Sequence, residues 1–176
     1  GLRTTGSIGP KWTYELEAIR QNGTLPGKDL QSWAATAQVQ RFLTASPWRP
    51  SIMGEYNFAS GDPNPNDSVV NTYDQLYPTN HGIYGFTDQV GRRNTKNART
   101  GLWLRPRKGL VVRSEFHAFW LATRYDAFYS AGGGVSVPAV TGGASATHIG
   151  NELNFGAEYI VNHYYTLGAQ YGHLYP

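Results

Sequence analysis

The residues of this chain that carry chemistry recur on alternate positions. Glu15 and Glu17 lie two apart, and Glu152 and Glu158 share one short segment. Two carboxylates flanking a bond are what glycoside hydrolysis requires, one as acid and the other as base or nucleophile. Residues two apart also share a face of any β-strand, so such pairs arise wherever a strand has a polar side. Arg99, Arg113 and Glu115 make a second group. Rings of such charges select ions in a pore, and the same residues equally make a ladder of ion pairs lining a wet interior. The run Asp62-Pro-Asn64-Pro-Asn66-Asp67 offers oxygen ligands for a cation. It lacks the glycine and glutamate that an EF-hand loop places at its sixth and twelfth positions, and reads as a polar turn.

Nothing else in the sequence supplies a catalytic constellation. There is no Gly-x-Ser-x-Gly elbow, no His-Glu-x-x-His and no phosphate loop, so the chain is read as a non-enzyme without cofactor or bound metal. His117 and His148 read as wall or loop residues rather than ligands, and His163 falls in a turn. The chain has no cysteine, which excludes disulfides and thiolate metal sites. A net charge of +3, without a Lys/Arg run interleaved with aromatics, argues against nucleic acid as a partner.

The elements that must position these charges are strands. In Ile52–Ala59, Ile52, Gly54, Tyr56 and Phe58 alternate with Met53, Glu55, Asn57 and Ala59. The same period runs through Lys11–Gln21, where Trp12, Tyr14, Leu16 and Ala18 oppose Thr13, Glu15 and Glu17. It returns at about 32–43, 98–105, 110–122, 149–159 and 164–174, with Leu2–Ile8 as the tail of a further strand. Each has one apolar face. Asn22-Gly23 predicts a loop through Asp29, Ala45–Pro50 a compact connection, and Gly82–Val90 a short strand or turn. Two segments, 61–96 and 123–147, read as long loops.

Composition agrees with many short strands: 21 glycines, 14% aromatic residues and only 15% charged residues among 176. No apolar run approaches the roughly 20 residues of a membrane-spanning helix, but a barrel strand needs only about 9 to 11 with one apolar face. Gly1–Ser7 lacks the apolar stretch of a signal peptide. From Gly9 onward the predicted connections run tight, medium, tight, long, tight, long, tight, so the longer ones share one end of an up-and-down sheet. Outer-membrane barrels have this asymmetry. The expected fold is therefore all-β, an antiparallel transmembrane barrel of which this chain supplies seven to eight strands as one domain. Both ends of such a meander fall on the outer side, which points to a piece of a larger barrel.

Several motifs sharpen this reading. They are Glu55-Tyr-Asn-Phe-Ala-Ser-Gly-Asp62, Tyr73-Asp-Gln-Leu-Tyr-Pro-Thr-Asn-His81, Gly85-Phe-Thr-Asp88 with Arg93-Asn94, and Phe116-His-Ala-Phe-Trp-Leu121 followed by Asp126-Ala-Phe-Tyr129 and Ala131-Gly-Gly133. Taken in this order, over about half of the chain, they resemble the alginate export family of Gram-negative outer-membrane β-barrels. The resemblance implies a passive, porin-like conduit in the outer membrane, with lipid around it and an anionic saccharide such as alginate, or a small solute, within. The family's basic lumen is not matched: the presumed inward face carries Arg99, Arg105, Arg113 and His117 but also Glu15, Glu17, Glu55, Glu115, Glu152 and Glu158. With Asn57 and Asn154 these are the candidate pore-lining residues. Asp62, Asp74, Asn80, His81, Asp88 and Arg93 are candidates for pinning the first long loop, as a plug or gate. The alternative is a non-channel sheet, with a structural outer-membrane role or with Trp12, Trp33, Trp103 and Tyr171 as carbohydrate platforms. Outward exposure of Trp12, Tyr14, Leu16, Ile52 and Phe58 in one band is the expectation that separates a lipid-facing sheet from a soluble sandwich.

Overall fold

The computed structural model describes residues 1–43, 46–77 and 81–176. Its strands are β1 (Leu2–Ile8), β2 (Trp12–Leu25), β3 (Lys28–Phe42), β4 (Ser51–Ala59), β5 (Val69–Val70), β6 (Thr95–Arg107), β7 (Leu110–Leu121), β8 (Phe128–Tyr129), β9 (Val135–Val137), β10 (His148–Ile160) and β11 (Thr166–Tyr175). Eight of them form one antiparallel path in the order β1-β2-β3-β4-β6-β7-β10-β11, and β5 adds a short parallel pairing to β3. All successive neighbours on the path are sequential hairpins or are joined across a long loop, which is the up-and-down pattern the periodicity predicts. No pairing among the described residues joins β1 to β11.

Three boundaries differ from the sequence reading. The segment Asn22–Asp29 is not a loop: the ladder continues through Asn22↔Gln31, Gly23↔Leu30, Thr24↔Asp29 and Leu25↔Lys28. The reversal is confined to Pro26-Gly27, where Gly27 takes a φ of 78° that a side chain would disfavour. This connection is therefore tight, although it lies at the same end as the long loops. The first long loop ends at Asn94 rather than 96, because Thr95 and Lys96 already pair with Ala59 and Phe58 on one side and Leu121 and Trp120 on the other. Gly82–Val90 forms turns and bends without a strand, and the second long loop carries the small β8–β9 hairpin.

Burial on the sheet is inverted relative to a soluble protein. Along β4, Ser51, Met53, Glu55, Asn57 and Ala59 are buried while Ile52, Gly54 and Tyr56 are exposed. Neighbouring strands keep the register, so Trp12, Leu16, Trp33, Leu102, Phe116, Phe155 and Tyr171 are all exposed as well. Tyr14 and Phe58 belong to this face and are half-buried by their neighbours, Phe58 stacked on Trp33 at 4.2 Å between ring centroids. Arg41 lies over the Trp12 ring and Arg107 over that of Tyr159, at 5.1 and 4.5 Å, close to one rim of the band. Water alone would make such a face costly, since each fully buried large apolar side chain is worth about 1.5–3 kcal/mol.

The opposite face is covered by the two long loops. Tyr73 packs on Ala34 and Ala59, while Tyr84 and Val90 pack on Phe119. Among the described residues these two small clusters are the buried apolar cores, and both lie between loop and sheet.

Candidate functional site

The covered face of the sheet is a continuous polar surface built from strand alternation. Glu55 and Asn57 of β4 stand opposite Arg99 and Asn97 of β6, which in turn stand opposite His117 and Phe119 of β7. Glu152 and Asn154 of β10 then stand opposite His117 and Glu115. All of these side chains are buried. Buried charge is tolerated only when paired and hydrogen-bonded. Accordingly Arg99 donates to Glu115 at 2.8 Å and reaches Glu55 at 3.5 Å. Asn57 donates to Glu55 at 2.6 Å and to Asn97 at 3.3 Å, and accepts from the Thr36 hydroxyl at 2.7 Å. Asn97 approaches His117 Nδ1 at 3.4 Å, and His117 Nε2 lies 3.8 Å from Glu115.

Toward the edges the pairs are wetter. Glu15 meets Arg3 at 2.9 Å, and Glu158 meets Arg113 at 3.7 Å. Arg105 sits at the tight-turn end, where it donates to the Arg49 carbonyl and the Ser51 hydroxyl at 3.5 and 3.4 Å. All twelve candidate lining residues therefore fall on one face. Among the described residues, however, the two paired-carboxylate candidates do not meet as acid and base: Glu15 and Glu17 bond separate arginines, and Glu152 and Glu158 are likewise engaged apart.

The first long loop crosses this surface from β2 to β11, fastened at each step. Gln21 of β2 bonds the Asp74 backbone twice, at 2.7 and 2.9 Å. Arg92 reaches down to Glu17 at 2.9 Å and to Thr36 at 3.0 Å. Glu152 accepts from the Phe86 and Thr87 amides, at 2.6 and 3.2 Å, and from the Thr87 hydroxyl at 2.5 Å. The chain can approach that closely because residue 85 is glycine: at its φ of 94°, a Cβ there would run into the Glu152 carboxylate. Arg113 then lies over the Phe86 ring at 4.7 Å. Last, His81 bridges Asp88 at 2.9 Å and Gln170 of β11 at 3.0 Å. Those two hydrogen bonds hold the imidazole above its usual range, Gln170 contributing most and partial burial opposing.

The second loop locks the first. Asp126 accepts from the Asp62 amide at 2.9 Å, the Thr72 hydroxyl at 2.6 Å and the Tyr129 hydroxyl at 2.9 Å. Burial, with the Asp126 charge beside it, pushes the Tyr129 phenol up to about 12. Burial likewise raises the Asp62 carboxyl, the Asn64 amide opposing and the Asp126 charge adding to it. Asn94 ties both loops, donating to the Thr123 and Ala127 carbonyls at 3.1 and 3.0 Å and accepting from the Thr123 amide at 2.8 Å.

Of the candidate loop residues, Asp62 closes a local turn on the Asn64 amide at 3.1 Å, and the run to Asp67 is a hydrogen-bonded turn. Asp74 pairs with Arg93 at 3.4 Å, Arg93 also donates to the Gly133 carbonyl, and Asp88 partners His81. Asn80 lies outside the described residues. Sequence reasoning missed Arg92, Asn94, Asp126 and the Phe86–Thr87 amides as the principal fasteners. Three of these were inside the quoted motifs, and Arg92 adjoins one, yet nothing local tells which distant strand each will meet.

A family model described as alginate export matches residues 1–176. Comparison with curated proteins finds no match. No helix of the described residues is long and apolar enough to cross a membrane, which has no bearing on crossing by strands.

Proposed function

This chain belongs to the alginate export family, and from that membership we propose that it forms part of an outer-membrane β-barrel channel of a Gram-negative bacterium. The channel passes anionic polysaccharide such as alginate, or related small solutes, by passive diffusion. The observation that carries this reading is the inverted burial: a band of exposed Trp, Tyr, Phe and Leu on one face and a network of charged and polar side chains under the loops on the other. Lipid is the medium that makes the first face favourable, and a barrel lumen the place for the second. Among the described residues the outer edges of β1 and β11 have no partner strand, and strands added there would complete the closure.

The lid formed by residues 60–94 is the gate in this proposal, since it is the element laid over the wall. The wall itself is mixed in sign: six carboxylates (Glu15, Glu17, Glu55, Glu115, Glu152 and Glu158) are interleaved with Arg3, Arg99, Arg105 and Arg113, and Arg92 reaches Glu17 from the lid. This supports a broader anionic or neutral solute range rather than strict selection of one polyanion. The test is conductance of the intact protein in planar bilayers, before and after replacing residues 62–90 by a short Gly/Ser linker. The lid-deleted form should conduct more than the parent; a protein that conducts in neither form would end the channel reading.

A further inference from the structure

The outward face of the sheet carries cations that its own residues do not neutralise. All six glutamates stand on the covered face, and the aspartates lie in the connections apart from Asp29 near the start of β3. Cross-strand partners share a face, so the register puts Arg20 beside Trp33, and Lys96 between Phe58 and Trp120, on the outward face toward the long-loop end. Arg20 is exposed and donates to the Asn22 side chain at 3.0 Å, while Lys96 is half-buried among its aromatic neighbours. Among the described residues neither is ion-paired. Along the path β2-β3-β4-β6 the two stand three strand spacings apart, about 14 Å, with the stacked rings of Trp33 and Phe58 between them.

Below Arg20 the same face holds a groove of about 780 Å³, lined by Tyr14, Leu16, Ala37, Val39, Gly54 and Tyr56. Leu16 at its near edge is four residues from Arg20 along β2, about 13 Å. Ala18 and Ala35, paired across β2 and β3, keep the intervening surface low. Gly54 deepens the groove, since a Cβ there would meet nothing within 4 Å. A cation facing lipid is costly at mid-depth and tolerated near the interface, where an anionic headgroup can neutralise it. Cations at the rim and an apolar groove running inward from them match the two parts of one lipid, phosphate and acyl chain. A second copy of this face fits less well, because it offers the cations no glutamate.

We propose that this patch holds one phosphate-bearing lipid of the leaflet on the long-loop side, its headgroup between Arg20 and Lys96 and an acyl chain in the groove. Its membrane setting rests on the barrel reading above. The experiment is native mass spectrometry of the full chain in mild detergent, titrated with a bisphosphorylated diglucosamine glycolipid, with the same glycolipid freed of phosphate, and with inorganic phosphate. The phosphorylated lipid should bind one per chain, and the other two at least about tenfold more weakly. R20Q/K96Q should weaken its binding by at least about tenfold, and G54L should weaken it by filling the groove. R41Q, which removes the cation over Trp12 at the opposite end of the same face, should leave it unchanged. Thermal unfolding of the lipid-free variants, expected to match the parent, verifies that the sheet is intact. Equal binding of the phosphate-free lipid or of inorganic phosphate, unchanged affinity in R20Q/K96Q or in G54L, or a loss in R41Q as large as in R20Q/K96Q overturns the assignment. A dimer in detergent that G54L dissociates overturns it in favour of a second copy. Bilayer conductance of the same preparations separates the two readings. A conducting protein whose lipid binding ignores these variants loses this inference alone, and a non-conducting protein that binds the lipid as described loses the channel alone.

Discussion

Glu152 is the residue on which closure of the lid depends most heavily. It is fully buried, and its partners are two backbone amides and one hydroxyl of the lid, with no cation bonded to it among the described residues. In E152A the Phe86 and Thr87 amides lose their acceptor while still covered by the lid. Each such orphan costs about 1–3 kcal/mol, so the docked segment should lose about 2–6 kcal/mol relative to the undocked one. At 1.4 kcal/mol per factor of ten, that raises the open population of this segment by roughly 30-fold to 20,000-fold. E152Q should fall much lower on that scale, because its carbonyl oxygen still accepts from the amides and the Thr87 hydroxyl can turn to accept from the new NH₂. The direct readout is amide hydrogen exchange of residues 84–88 in the folded protein, with single-channel open probability as the functional counterpart. Exchange at Phe86 and Thr87 that is unchanged in E152A, in a protein whose strand amides remain protected, would refute the role assigned to this carboxylate.

Three further outcomes follow from the same geometry. R99M leaves Glu55 and Glu115 buried without their shared cation, so thermal unfolding should shift to lower temperature by the equivalent of about 3–5 kcal/mol; replacing all three by apolar residues should recover most of it. N94A removes three hydrogen bonds between the two loops, costing about 1–3 kcal/mol at a buried site, and should raise protease sensitivity at residues 122–134 together with 60–75. His81, flanked by Asp88 and Gln170 with Arg113 opposing, is held above its unperturbed pKa of about 6.5. A raised value in the docked state means that its contribution to docking is complete below pH about 6.5 and fades as pH climbs through the folded value. Lid opening should therefore increase between mildly acid and mildly alkaline pH, and H81Q should flatten that dependence without abolishing conductance.

The amino-acid sequence by itself determined the eight strands of the sheet path and which side chain points to which face, but not the short β5, β8 and β9 within the loops. Strand alternation is local, fixed by backbone geometry every two residues, so Glu55, Asn57, Arg99, Glu115, His117, Glu152 and Asn154 were assignable to one face before any contact was known. It also determined the two long loops, because Gly, Pro, Asn and Asp clusters interrupt the period at 61–66 and again at 132–143. The Asn22-Gly23 signal failed because pairing outweighed it: β3 continues to Lys28, whose ammonium bonds the Pro65 carbonyl at 2.9 Å, and β5 of the first loop pairs beside Asp29 and Leu30. What only the tertiary structure decided is the partner of each charge. Glu152 meets backbone amides 65 and 66 residues away, Arg92 meets Glu17 across 75, and His81 meets Gln170 across 89. A hydrogen bond carries no record in sequence of how far its partner lies, so the path of the lid over the wall appears only once the sheet has brought distant segments into register.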